Sequence, residues 1–335
     1  MPRIIRQHAF GGPENLRLDD LASAEPGPGE ARLRVEAVGL TRDQLPFLAG
    51  ADYGGGANPE LPTRFGYEAA GVVDAVGEGV DVGWVGKRVA PVGPFDQVRY
   101  GCAGEEGIVP AELLVEIPDS LSAAQAAALW VPYLTAYGVI LKGQVQPGDH
   151  VVLTAGNSAV SVAAIQIVRD AGALPVAVVR SSRQRDRLRE LGAHEVIVTG
   201  EEDYAARITE ITGGLGPQVT FDAIGGDFLA TLCQAAAPGG IVIEYGILGG
   251  IDGRFPVEYV LGKDLTIRGY SVGEISLNPE LRATAAAYVL ERVTQGRFTP
   301  RVAQTFALDE VQDAYAYVQA GPDLGRTVLV TGVTR

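Results

Sequence analysis

Residues that bind metals or form disulfides are scarce in this sequence. Its 335 residues include two cysteines, Cys102 and Cys233, and three histidines. Two cysteines so far apart in the chain provide neither a disulfide framework nor a zinc-binding cysteine cluster. We therefore expect reduced thiols, as is usual in a cytoplasmic protein.

Signals for membranes and for nucleic acids are also missing. No apolar run reaches the roughly 18–20 residues that span a bilayer, and the N-terminal stretch MPRIIRQHAF has no apolar segment typical of a secretory signal. The net charge of −14 disfavours a nucleic-acid partner, because phosphate contacts need a basic face. The sequence thus predicts a cytoplasmic protein whose partner is a small molecule, neither a nucleic acid nor a membrane.

Secondary-structure signals change along the chain and predict an α/β fold with two parts. The first 120 residues or so contain short strands broken by glycines, such as 31–40 and 69–80, which are typical of a small β-barrel or sandwich. Farther on, apolar strands alternate with amphipathic helices, which we predict at 158–171, 183–191, 203–212 and 227–236. This alternation indicates a doubly wound parallel sheet.

The turn after the first strand of this second part, in VVLTAGNSAV (151–160), has the position of a dinucleotide-binding turn but only one glycine. Such a turn needs small side chains because the backbone approaches the pyrophosphate, and the N-terminus of the next helix attracts the anion. Alanine and serine are small enough for this purpose. The predicted cofactor contacts are Asn157, Ser158, Ala159 and Val160; the alternative is an α/β domain that binds no nucleotide.

The end of the second strand indicates which dinucleotide would bind. NADH usually needs an acidic residue at this strand end, whereas the 2′-phosphate of NADPH needs arginine and hydroxyl groups. Here Arg180, Ser182 and Arg183 follow the strand, and the first acidic residue, Asp186, lies within the next helix. These residues favour NADPH; the alternative is an exposed, arginine-rich helix start.

Several segments resemble motifs of the medium-chain dehydrogenases/reductases: FGYEAAGVVDAVGEGV (65–80), LTAYGVIL (134–141), QPGDHVVLTAGNSAV (146–160), EYGILGG (244–250), KDLTIRGY (263–270) and DLGRTVLV (323–330). The resemblance implies a discontinuous GroES-like catalytic domain, residues 1–122 and 266–335, and a Rossmann NADPH-binding domain, residues 123–265. It also implies that Thr135, Gly246 and Leu248 contact the cofactor.

The same resemblance indicates whether the site holds a catalytic zinc. The zinc-ligand positions of the family fall here on Thr41, Tyr67 and Val131. A catalytic zinc needs three protein ligands, and the neighbouring Glu68 alone cannot hold it. The cysteine-rich loop that holds a structural zinc in the zinc enzymes is also absent. The sequence is therefore similar to the zinc-free reductases of the family, and a site without metal is expected.

Three hydroxyl residues are the candidate catalytic groups. Hydride addition to a conjugated C=C–C=O system leaves an enolate, which a hydroxyl donor can stabilise or protonate. Tyr53 lies where many zinc-free relatives carry a tyrosine facing the substrate, although it could equally be a rim tyrosine. Tyr67 could instead fill the space of the missing metal, and Thr41 could bond either the substrate or the nicotinamide ribose.

The resemblance implies a zinc-independent, NADPH-dependent reductase of a quinone or an α,β-unsaturated carbonyl. One alternative is a 2-enoyl thioester reductase, although the acidic composition is unfavourable for a CoA or carrier arm. Another is a non-catalytic NADPH-binding sensor or structural protein. Relatives are commonly dimers, so a homodimer is expected, with residues 241–250 as the edge of the cofactor sheet.

Overall fold

The computed structural model describes residues 1–51, 58–321 and 323–332. The chain divides into two compact units. Met1–Val131 and Thr299–Arg335 form the first unit, and Pro132–Phe298 forms the second. No helix in the described part of the chain is both long and apolar enough to span a membrane.

The first unit is mainly β-structure and is built from both ends of the chain. Its strands form a three-stranded sheet in the order β2-β1-β4, and a larger sheet in the order β15-β16-β3-β5-β6-β8, in which β7 also pairs with β3. The strands are β1 (Arg3–Gln7), β2 (Leu16–Asp20), β3 (Glu30–Leu40), β4 (Thr63–Arg64), β5 (Ala69–Val76), β6 (Arg88–Pro91), β7 (Glu106–Pro110), β8 (Leu114–Glu116), β15 (Val302–Ala307) and β16 (Arg326–Val330). The helices are α1 (Gln44–Leu48), α2 (Gln97–Tyr100), α3 (Ala123–Ala126) and α12 (Val311–Ala320).

Strand β3 shows why this part of the sequence folds as a sheet. Apolar Ala31, Leu33 and Val35 alternate with arginines, and the apolar side chains are fully buried. This alternation of period two buries one face of a strand and leaves the other to solvent. β3 pairs with β5, β7 and β16, so it joins segments from the beginning and the end of the chain.

The second unit has a six-stranded parallel sheet in the order β11-β10-β9-β12-β13-β14. In chain order this is 3-2-1-4-5-6, the doubly wound arrangement in which ligands bind at the carboxyl ends of the strands. Its strands are β9 (His150–Leu153), β10 (Leu174–Val179), β11 (Glu195–Val198), β12 (Val219–Asp222), β13 (Ile241–Glu244) and β14 (Thr266–Gly269). Its helices are α4 (Trp130–Gly143), which spans the unit boundary, α5 (Ala159–Asp170), α6 (Arg185–Glu190), α7 (Tyr204–Ile211), α8 (Phe228–Ala235), α9 (Val257–Lys263), α10 (Gly273–Ser276) and α11 (Pro279–Thr294). The predicted α/β fold is confirmed.

The prediction that residues 241–250 form the edge of this sheet is wrong. β13 pairs on one side with β12 and on the other with β14. The edge strand is therefore β14. The sequence did not indicate this, because strands and helices no longer alternate regularly after residue 265. Residues 266–298 lie in the second compact unit, which begins at Pro132 and ends at Phe298. The domain boundaries at 122 and 265 stay a prediction from the family resemblance.

Candidate functional site

The turn after β9 is tightly packed against β10. Ala155 takes a left-handed backbone conformation, with φ of 45°, which is unusual for a residue with a side chain. The N–H of Gly156 donates to the carbonyl of Val178 at 2.8 Å. A Cβ on Gly156 would lie 2.9 Å from the Ala177 Cβ and 3.1 Å from the Val178 backbone nitrogen. The one retained glycine is thus needed for packing of the turn onto the sheet.

The N-terminus of α5 follows this turn and is arranged to attract an anion. Ser158 is the N-cap, and its hydroxyl accepts from the N–H of Ser161 at 3.1 Å. The N–H groups of Asn157, Ala159 and Val160 have no hydrogen-bond partner in the described part of the chain. Unpaired N–H groups and the helix dipole make such a terminus a binding site for phosphate. Four of the residues predicted to contact the cofactor, Asn157 to Val160, therefore lie at this helix N-terminus.

Two further turns meet the same edge of the sheet. After β12, the Asp222 carboxylate accepts from the Thr154 hydroxyl at 2.5 Å and from the N–H of Gly225 at 2.7 Å. After β13, Gly246 lies so close to Ala223 that a Cβ would meet its carbonyl oxygen at 2.7 Å. Asp222 thus closes a turn, and Gly246 allows the two loops to approach.

Leu248, which was predicted to contact the cofactor, is 60% exposed on the loop after β13. Its backbone N–H donates to the carbonyl of Ala223 at 3.0 Å. Thr135 is buried on α4, also in the second unit. Tyr53, the third catalytic candidate, lies outside the described residues.

Two side chains on this edge were missed by sequence reasoning. Tyr245 stacks on Phe221, with ring centroids 3.9 Å apart, and its buried hydroxyl has no hydrogen-bond partner in the part of the chain that is described. Burial raises the pKa of Tyr245, and the nearby Ser161 hydroxyl opposes this shift. The Tyr245 hydroxyl therefore stays protonated, close to the N-terminus of α5. Its signal in the sequence was its position directly after a strand of the parallel sheet.

Glu244 is the second residue that was missed. It stands opposite Asp222 in the register of β13 and β12. Burial, followed by the negative charge of Asp222, raises the pKa of Glu244 to about 8. Paired residues on adjacent parallel strands lie on the same face of the sheet, so the two carboxyl groups would repel each other if both were ionised. This repulsion and burial favour a neutral Glu244 at pH 7.

Arg180, Ser182 and Arg183 are all exposed at the carboxyl end of β10. Neither guanidinium forms an ion pair or a side-chain hydrogen bond with the residues that the structure describes, which leaves both arginines available to a ligand. The Ser182 hydroxyl, however, donates to Glu201 at 2.5 Å. Glu201 lies in the turn after β11, so an acidic residue does reach the end of β10, although none follows β10 directly in the sequence. The nearby Arg185 pairs with Glu202 at 3.1 Å and lies 3.8 Å from Glu201.

In the first unit, the side chains of Thr41 and Tyr67 lie next to each other. The Thr41 Oγ1 and the Tyr67 hydroxyl oxygen are 2.9 Å apart, and the Tyr67 hydroxyl donates in a short hydrogen bond to Asp43. Thr41 is 2% exposed and Tyr67 is 6% exposed, whereas Asp43 is exposed. Burial, then the charge of Asp43, raises the pKa of Tyr67 well above 10. Asp43 was not predicted, although it lies only two residues after Thr41.

A buried ion pair between Glu68 and Arg326 lies beside Thr41 and Tyr67, because Glu68 directly follows Tyr67 in the chain. Glu68 accepts from Arg326 Nε at 3.0 Å and from a second guanidinium nitrogen of the same residue. Its other oxygen accepts from the backbone N–H of Val131 at 2.9 Å. Val131, which stands at the third zinc-ligand position of the family, is thus hydrogen-bonded to Glu68 through its main chain. No three His, Cys, Asp or Glu side chains are grouped for metal binding within the described ranges.

Comparison with known proteins agrees with this architecture. Residues 27–119 match the alcohol dehydrogenase GroES-like domain family, and residues 159–289 match the zinc-binding dehydrogenase family. A 2-haloacrylate reductase from a Burkholderia species is 30% identical over 336 residues, which cover 96% of this chain and 97% of that protein.

Two other similar proteins cover the chain almost completely. A quinone oxidoreductase of Pseudomonas aeruginosa is 31% identical over 98% of this chain and 100% of its own length. The solved structure of an NAD-dependent alcohol dehydrogenase matches with a TM-score of 0.89 at 30% identity, covering 98% of this chain and 100% of that one. The chain therefore belongs to the medium-chain dehydrogenase/reductase superfamily, in its quinone oxidoreductase-like branch, and it is an oxidoreductase.

Proposed function

We propose that this protein is a zinc-independent, NADPH-dependent reductase of quinones or α,β-unsaturated carbonyls. The observation that carries the proposal is the hydroxyl pair of Thr41 and Tyr67, which is buried and hydrogen-bonded at two positions that hold zinc ligands in the zinc enzymes of the family. Hydroxyl groups can stabilise a developing oxyanion without a metal. These side chains thus replace the function that a Lewis acid has in alcohol oxidation.

The chain's residues fit a dinucleotide at the carboxyl edge of the parallel sheet. The N-terminus of α5 and the small residues of the turn before it would hold the pyrophosphate. The Tyr245 hydroxyl, which has no hydrogen-bond partner among the described residues, could donate to the cofactor. Arg180 and Arg183 would hold the 2′-phosphate as charge-assisted donors. When bound, the nicotinamide supplies a hydride to the conjugated acceptor.

Glu201 is the feature that opposes NADPH, because a carboxylate beside Ser182 would repel a phosphate. The local charge balance nevertheless favours an anion. Arg185 is paired with Glu202 and lies near Glu201, whereas the exposed Arg180 and Arg183 have no carboxylate partner among the described residues. In this proposal the Ser182 hydroxyl exchanges its hydrogen bond to Glu201 for one to the 2′-phosphate when NADPH binds.

The substrate class follows from the chemistry of the protein's own groups. The phenol of Tyr67 is a proton donor at neutral pH, because burial and Asp43 raise its pKa. Thr41 has a buried hydroxyl within hydrogen-bond distance of that phenol. A quinone or a conjugated carbonyl accepts a hydride and then needs one proton, which this pair can provide. The names of the similar proteins, a quinone oxidoreductase and a 2-haloacrylate reductase, support a conjugated acceptor.

Oxidation of NADPH by a panel of acceptors tests the proposal. We would measure kcat/KM for a simple enone, a quinone and crotonyl-CoA, with NADPH and with NADH, after treatment with a chelator. Turnover of the enone or the quinone, with higher kcat/KM for NADPH than for NADH, is expected. Activity confined to crotonyl-CoA would instead identify a 2-enoyl thioester reductase. Tight NADPH binding without turnover of any acceptor would identify a non-catalytic NADPH-binding protein.

A further inference from the structure

Asp43, Tyr67 and Thr41 form a line of hydrogen bonds that runs from solvent into the protein. The Asp43 carboxylate is exposed, while the hydroxyls of Tyr67 and Thr41 lie in the interior of the first unit. The Tyr67 hydroxyl contacts Asp43 on one side and the Thr41 hydroxyl, at 2.9 Å, on the other. An ionisable group in contact with water is thus connected to a buried alcohol through one phenol.

The direction of the hydrogen bonds depends on one proton. A carboxylate only accepts, so an ionised Asp43 accepts a hydrogen bond from the Tyr67 hydroxyl, and the Tyr67 oxygen then accepts one from Thr41. Adding a proton to Asp43 allows both bonds to reverse, because carboxylic acid, phenol and alcohol can each donate. The Thr41 hydroxyl is then released to donate to another acceptor. The charge state of an exposed group therefore controls what a buried hydroxyl can do.

We propose that Asp43 is the solvent end of a proton relay that passes through Tyr67 and delivers its proton from Thr41; this inference rests on the proposed function. The proton of the Thr41 hydroxyl moves to the enolate oxygen that hydride addition leaves on the substrate. The phenolic proton of Tyr67 moves to Thr41, and the carboxyl proton of Asp43 moves to Tyr67. Asp43 ends as a carboxylate and regains a proton from water. One O–H bond forms on the substrate for one lost at Asp43, so the step balances.

The surroundings hold the relay in place. The Gln44 side-chain oxygen accepts from the backbone N–H of Thr41 at 3.0 Å and from the Tyr315 hydroxyl at 2.8 Å. Arg326, a nearby cation, is bonded to Glu68. A donor that is fixed in advance does not need to be reorganised during the reaction. Asp43 acts through Tyr67 and is therefore a positioning and proton-supplying residue, while Thr41 is the group that meets the substrate.

Isosteric variants that interrupt the relay at each member are the first test. Asp43→Asn, Tyr67→Phe and Thr41→Val should each lower kcat for enone or quinone reduction by about 100-fold or more, the usual contribution of general acid catalysis, with little change in KM. Because the three residues act as one unit, the double variant Asp43→Asn/Tyr67→Phe should be no slower than the slower single variant. Asp43→Glu should restore part of the loss. The exposed Asp20→Asn serves as the matched control.

Solvent isotope effects provide a readout that a purely structural role would not change, and NMR tests the hydrogen bond between Asp43 and Tyr67 on which the relay depends. The rate of the wild-type protein plotted against deuterium fraction should be curved, because several protons move together, and the plot for Asp43→Asn should be linear. With tyrosine carrying carbon-13 at Cζ, the signal missing in Tyr67→Phe identifies Tyr67. That signal should shift in Asp43→Asn and not in Asp20→Asn, in the absence of any substrate.

The outcomes separate the relay from the function. If the wild-type protein is active, two results overturn the relay and leave the reductase function standing. One is a rate of Asp43→Asn within about twofold of the wild-type rate, and the other is additive losses in the double variant. An unshifted Tyr67 signal in Asp43→Asn also overturns the relay. A wild-type protein that reduces no enone or quinone overturns the proposed function, and the relay with it.

Discussion

Individual residues determine the coenzyme in this account. The linear sequence is enough to propose Arg180 and Arg183 as contacts of the 2′-phosphate, because arginine at the end of the second strand is typical of NADPH-binding domains; the contact itself stays a prediction. Glu201 could not be predicted, since it reaches Ser182 from the following strand–helix turn. Asp43 shows the same limit. Its contact with Tyr67 joins the end of β3 to the start of β5, and only the folded chain brings them together.

Replacing either arginine should weaken NADPH binding selectively. Arg180→Ala and Arg183→Ala should each raise the Kd for NADPH about tenfold or more, since a hydrogen bond to a charged group contributes about 1.5–3 kcal/mol. The Kd for NADH should change little. Arg189→Ala is the control, because Arg189 lies on the following helix α6 and is paired with Glu195 at 3.0 Å. Calorimetry that shows equal weakening for both coenzymes would contradict this assignment of the phosphate site.

At the scale of elements, the turns after β9, β12 and β13 lie at one edge of the sheet, where we propose that the cofactor binds. The positions of the helices in this region could be predicted well, because their amphipathic pattern and capping residues are local. Helix 158–171 was predicted where α5 spans Ala159–Asp170, for example. β14 was not recognised as the edge strand, because its pairing with β13 depends on contacts distant in sequence.

Gly156 tests the packing of the first turn. Gly156→Ala should destabilise the protein by about 1–3 kcal/mol, because the new methyl group overpacks the contact with β10, and it should also weaken binding of either coenzyme. Gly262→Ala is the matched control, since a Cβ there meets nothing within 4 Å. Urea denaturation and coenzyme titration measure both effects. Equal stability of the two variants would show that the turn can relax without cost.

The carboxyl pair across β12 and β13 should make stability depend on pH. The pKa of Glu244 rises from 4.5 to about 8 on folding, so the folded protein keeps a proton that the unfolded chain releases within this window. The free energy of unfolding should therefore fall as pH rises through it. Glu244→Gln should show a smaller fall than the wild-type protein in urea denaturation at several pH values. Glu258→Gln, an exposed substitution, should keep the wild-type slope; parallel curves for all three proteins would contradict the shift.

At the scale of the whole molecule, the two chain ends form one unit through β3 and β16 and through the Glu68–Arg326 pair. The discontinuous unit could be anticipated from the family resemblance of both ends. The unit boundaries could not be placed from composition alone, because residues 266–298 continue the second unit without the regular strand–helix alternation.

Removing Arg326 should destabilise the protein strongly. Arg326→Met leaves the buried Glu68 carboxylate without its partner, and loss of one member of a buried ion pair typically costs about 3–5 kcal/mol. The control is Arg17→Met, on the exposed side of β2. Chemical denaturation gives the free energy of unfolding of each variant. A loss for Arg326→Met no greater than that of the control would mean that the ion pair does not hold the unit together.

The central claim is hydride transfer from NADPH to a conjugated acceptor without a metal. The most direct measurement follows deuterium from NADPH labelled at C4 into the product of enone reduction, using protein freed of metal by chelation. The account predicts deuterium on the carbon β to the carbonyl, at a rate that neither chelation nor added Zn²⁺ changes. Absence of deuterium from the product, or activity that is lost on chelation and restored by Zn²⁺, would contradict it.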